Sequence, residues 1–143
     1  MKLDVVAQWV HLAAAVAAVG GVLYVRVVLM KSLRALPPEH APLVLKAAGR
    51  RFHPLLWTAI ALLFVSGLYN VAIAAARGVA DPLYWRLLGV KVLLALVLFA
   101  LALAVTVPTP ALANFQRRRP QVLAVNLVLA AVILYLSAYL RRL

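Results

Sequence analysis

The sequence predicts an all-α integral membrane protein, a four-transmembrane-helix antiparallel up-down bundle. Three observations carry that expectation. Hydrophobic residues make up 67% of the chain and charged residues 13%, whereas soluble domains run nearer half and a quarter. A chain of 143 residues cannot hide that much apolar surface in a globule, and no length is left over for a separate soluble domain. The apolar residues also fall into four runs long enough to cross a bilayer, about 20 residues each. Finally, the basic residues sit in short patches between those runs, as orienting and headgroup-facing charges do.

The first span covers residues 5–33, and only Gln8 and His11 interrupt its apolar run from Val5 to Val25. Asp4 weakens a positive signal-peptide start and the run exceeds the usual signal core, so a retained helix is expected. Arg26 and Lys31 close it with stems that reach the headgroups, and Pro37-Pro38 must stop it. Residues 41–53 are basic and amphipathic, with Lys46, Arg50 and Arg51 among Leu43, Val44, Leu45 and Phe52. They are expected to lie at the interface or to extend the next helix. Pro54 is taken as the entry to the second span, residues 54–76, whose polar members are Thr58, Ser66 and Asn70.

Asp81 followed by Pro82 is a good helix start, with Asp as N-cap and Pro at the first position. The third span, residues 83–107, contains Lys91 and ends at Pro108 and Pro110. A polar loop from Asn114 to Pro120 carries Arg117, Arg118 and Arg119, and the fourth span covers residues 121–141. Short and moderate connections give the up-down order. Gly20, Gly21, Gly67, Gly89 and many alanines allow close helix approach.

Orientation follows from the basic residues. One face would hold Arg26, Lys31, Arg34, Lys46, Arg50, Arg51 and Arg117 to Arg119; the other would hold Lys2, Arg77, Arg86, Arg141 and Arg142. The excess on the first face places both termini outside and the two longer loops in the cytoplasm, for a chain in a prokaryotic plasma membrane.

Ionisable groups at membrane depth are costly and mark candidate sites. At 1.5 Å per residue, His11 lies about 9 Å into its span and Lys91 about 12 Å into the third. Asn70 and Tyr135 lie at about 8 to 9 Å from the same face by that rise, with Ser137 shallower. Four helices therefore contribute to one candidate layer: His11, Lys91, Asn70, Tyr135 and Ser137. Gln8, His11, Ala15, Val19, Val22 and Arg26 form one stripe, and Asn126, Ala130, Ile133 and Ser137 another. Structural readings stand beside this one, since Lys91 can snorkel outward and the amides and hydroxyls can serve as interhelical glue.

Absences narrow the chemistry. All three acids, Asp4, Glu39 and Asp81, fall outside the spans, which argues against a carboxylate proton relay. No cysteine is present, so thiolate metal sites and disulfides are excluded. No basic face is interleaved with exposed aromatics, so nucleic acid is not an expected partner. The expected partners are the lipid bilayer, a bound porphyrin or copper ion, and a second copy or a redox protein.

Trp9-Val10-His11-Leu12 followed by Val19-Gly20-Gly21-Val22-Leu23 resembles the first helix of copper resistance D (CopD) membrane domains. Arg50-Arg51-Phe52 with Ser66-Gly67-Leu68-Tyr69-Asn70 resembles their second helix, and Tyr84-Trp85-Arg86 through Lys91-Val92-Leu93-Leu94 their third. The resemblance spans all four helices and implies a single domain over residues 1–143. The chain is also distantly similar to HemJ-type protoporphyrinogen oxidases, which are short four-helix proteins with an essential histidine in helix 1 and a lysine in helix 3. By that resemblance His11 and Lys91 would hold heme b, and any enzyme activity would be that of a protoporphyrinogen oxidoreductase.

Three readings follow. The one placed first is an intramembrane heme b site with a redox role, His11 as axial ligand and Lys91 as second ligand or propionate partner. The next is copper movement across the membrane or copper resistance, with His11 as a metal ligand. Copper(I) favours soft sulfur ligands, and Met1 and Met30 are the only methionines. The third is a non-catalytic membrane subunit.

Overall fold

The computed structural model describes residues 3–79, 81–106 and 109–142, and among these no strand occurs. Four helices are long and apolar enough to cross a membrane, in agreement with the all-α expectation. The helices are α1 (Leu3–Leu33), α2 (Ala41–Ala76), α3 (Pro82–Thr106), the short α4 (Ala113–Arg117) and α5 (Arg119–Leu140). The chain divides into two compact units, Met1–Gly78 and Val79–Leu143. The first is a hairpin of α1 and α2; the second is a hairpin of α3 and α5, with α4 at its turn.

In the first hairpin, α1 rewinds to a π-helix over Val25–Leu29 before finishing as Met30–Leu33. Such wide turns are rare and usually short. This one carries Arg26, whose Nε is buried without a hydrogen-bond partner among the described residues. Helix α2 corrects the reading of Pro54 as a helix start. It runs unbroken through Pro54 and begins instead with Pro42 in its first turn. Thr58 Oγ1 donates to the Pro54 carbonyl at 2.8 Å. A proline inside a helix lacks one backbone donor, and packing against a neighbouring helix makes that tolerable. Of the two expectations for residues 41–53, extension of the next helix is the one observed. A helix of 36 residues is about 54 Å long at the helical rise, well beyond a bilayer core of about 30 Å. The excess carries Lys46, Arg50 and Arg51.

Close packing in this hairpin depends on Gly21. A Cβ there would stand 2.6 Å from the Phe52 ring, so the basic extension of α2 lies directly on the second half of α1. Ala14 and Ala59, each 4% exposed, close the seam further in. At the opposite end the Arg77 guanidinium donates to Asp4 at 2.7 Å, tying the start of α1 to the end of α2. Gly78, at φ +66°, then turns the chain out of the helix, a conformation that only glycine adopts without strain.

In the second hairpin, Asp81 accepts from the Leu83 amide at 2.8 Å, the expected N-cap of α3. Trp85 Nε1 donates to the Val79 carbonyl, fixing an aromatic anchor at that end. The expected polar loop from Asn114 to Pro120 is corrected in part. Ala113–Arg117 is helical, and Pro120 falls in the first turn of α5, where its missing donor is not needed. Arg119 donates to the Val105 carbonyl at 3.0 Å, satisfying one of the open carbonyls at the end of α3. The seam is lined by Ala102, Val105, Leu123, Ala130 and Asn126, all buried. The predicted end of the third span at Val107 lies outside the described residues.

Candidate functional site

His11 is half-buried and faces α2. Its Nδ1 lies 2.8 Å from Ser66 Oγ, and Ser66 is itself 5% exposed. The serine hydroxyl has one proton, and it is given to the Leu62 carbonyl one turn earlier, with a longer contact to Leu63. Ser66 Oγ therefore accepts, and His11 Nδ1 carries the donated proton. The bond orients the imidazole by its Nδ1 edge. Anchoring of one ring nitrogen by an outer-shell partner is also how metal-binding imidazoles are oriented.

The imidazole rests against Gly67, where a Cβ would come 3.6 Å from its Cε1. That is ordinary van der Waals contact, so the ring packs directly on the α2 backbone at this level.

Among the residues expected in one layer, Asn70 lies on α2 one turn past Ser66 and is half-buried. The hydrogen bond from His11 goes to Ser66, not to Asn70. Lys91, Tyr135 and Ser137 belong to the second hairpin. Lys91 is half-buried on α3, with Arg141 within electrostatic reach. Tyr135 is 70% exposed on its hairpin and so is turned away from α3. Ser137 donates to the Ile133 carbonyl of its own helix at 2.7 Å. Among the described residues no cluster of three or more His, Asp or Glu could hold a metal.

Ser66 is the residue that depth counting missed. The count ran from estimated helix ends, which carry an error of a residue or two at each end. Two such errors amount to a full turn, the distance from Asn70 to Ser66. The signal available was the pair Ser66 and Asn70, four apart and thus on one face of α2.

Fold and site together define a small polytopic helical membrane protein with one oriented imidazole inside its first hairpin. The sequence profile described as copper resistance protein D (CopD) matches residues 46–140, well over half of the chain. The chain belongs to that family and is an integral membrane protein. The match includes Ser66, Gly67, Asn70, Lys91, Tyr135 and Ser137, and His11 precedes it. No curated protein and no solved structure matches the chain significantly.

Proposed function

We propose that the protein handles copper in the plasma membrane of a prokaryote, with the ion as cargo and the His11 imidazole as its ligand within the bilayer. The observation that carries this reading is the His11–Ser66 hydrogen bond. It holds the ring by Nδ1 inside the first hairpin, which supports a role for the other ring nitrogen as the ligand atom. Imidazole nitrogen is a competent copper ligand. A site with a single strong protein ligand holds an ion loosely, and cargo that must leave requires that.

Family membership supports copper over heme b as the group concerned. Lys91 belongs to the second hairpin and is not counted among the ligands in this reading. The basic residues around the extension of α2 and the α4 turn support a cytoplasmic position for those ends, with both termini outside.

The reading is tested in a strain lacking the gene, complemented with the wild-type chain, His11→Ala or Ser66→Ala. Copper accumulation and growth in added copper should be restored by the wild-type chain and not by His11→Ala. Ser66→Ala should restore them in part, since outer-shell partners typically matter 10- to 100-fold in metal affinity. Full complementation by His11→Ala would leave only a structural role for the imidazole.

A further inference from the structure

At the turn of the second hairpin a cavity of about 760 Å³ opens where α3 ends, α4 crosses and α5 begins. Its rim and its wall differ in chemistry. Arg117, Arg118 and Gln121 form the rim, and all three are exposed. Leu101 of α3 and Val122 and Val125 of α5 form the wall. Val125 lies one turn deeper than Gln121, about 6 Å at the helical rise, and Leu101 lies about 7.5 Å back from the end of α3. The apolar wall thus descends from the arginines along spanning helices.

Arg119, the third arginine of the run, is committed to the Val105 carbonyl. That bond holds the start of α5 against the end of α3 and leaves the other two arginines to the rim. The one side-chain carboxylate in this unit, Asp81, caps the far end of α3. Within this unit, therefore, no acidic side chain neutralises the rim charge.

We infer that this groove is a binding site for one anionic phospholipid, its phosphate on Arg117 and Arg118 and the upper part of an acyl chain along Leu101, Val122 and Val125. Arginine pairs phosphate oxygens through its fork of donors, and an apolar channel running inward from the headgroup level suits a chain and not a soluble anion. Charge and position both select this occupant. A neutral lipid would leave the arginines unpaired, and a free phosphate would leave the wall open.

The test uses the full chain purified in mild detergent and titrated with phosphatidylglycerol or phosphatidylcholine, with bound lipid counted by native mass spectrometry. One phosphatidylglycerol should be retained in preference to phosphatidylcholine. The double variant R117Q/R118Q should weaken that retention roughly ten- to thirty-fold, from about a decade or less per surface arginine. The R141Q/R142Q variant, with the same charge change elsewhere, should not. Val125→Trp fills the wall but keeps both arginines and should also displace the lipid, so the inference stands or falls even if the double arginine variant misfolds. Equal retention of both lipids, equal losses in the two double variants, or displacement by millimolar glycerol phosphate would each overturn it.

Discussion

The two hairpins treat a buried polar side chain in opposite ways. In the first, His11 and Ser66 satisfy each other, and Ser66 passes its proton on to the backbone of its own helix. In the second, Asn126 is 2% exposed, and neither atom of its amide has a partner among the described residues. Both seams are otherwise closed by alanines and a few larger aliphatic side chains. The contrast teaches that polarity in a membrane seam does not by itself mark a site. A chain of oriented hydrogen bonds holds a ring in one orientation, whereas an amide without a partner among the described residues carries a desolvation cost.

The predictions that break or sharpen this contrast run from large to small. Replacing Gly21 by Leu forces a branched side chain into the Phe52 ring, which a bare Cβ already approaches to 2.6 Å. It should destabilise the first hairpin by several kcal/mol, the upper range of overpacking, and leave the second intact. Helicity and limited proteolysis mapped by fragment mass will show whether the damage stays in residues 3–78.

Ser66→Ala removes the acceptor for His11 Nδ1. A loss of about 1 kcal/mol of stability in detergent is expected from one interhelical hydrogen bond. With it the ring loses its anchor at Nδ1, visible in the imidazole nitrogen chemical shifts of labelled protein. Ser66→Thr keeps the hydroxyl and should retain the anchor.

Asn126→Leu should go the other way. Replacing an unpartnered buried amide by an apolar side chain of similar size removes a desolvation penalty of about 1 to 3 kcal/mol. Thermal unfolding of that variant should therefore be unchanged or raised. A clear fall would show that the amide is bonded after all, and the contrast between the hairpins would fail.

Asp4→Asn should matter least. The Asp4–Arg77 pair is exposed on the arginine side, and exposed pairs contribute about 1 kcal/mol or less and fade with salt. A small loss that disappears at high ionic strength is expected in a denaturation series.

Much of the fold was legible because bilayer thickness dictates the length of apolar runs, and all four runs became helices. Asp81 was readable as a cap for the same kind of reason, a local rule confined to a few residues. Pro54 was not readable as helix interior. Local sterics mark it as a breaker, and α2 continues past it where it packs on α1, with Phe52 against Gly21. The candidate site divides similarly. His11 stood out as a costly group in a spanning run, while Ser66 as its partner depended on the register of α1 against α2, which counting from helix ends cannot resolve to better than a turn. Tyr135 was chosen by depth alone, and its exposure on its own hairpin is a matter of helical phase, which depth does not carry.

The central claim is that His11, held by Ser66, is a copper ligand inside the first hairpin. The most direct measurement is copper content together with the visible spectrum of the detergent-purified protein, wild type beside His11→Ala. The account predicts bound copper in the wild type, its loss in His11→Ala, and no Soret band in either. Copper retained by His11→Ala, or a Soret band that vanishes with that substitution, would contradict it.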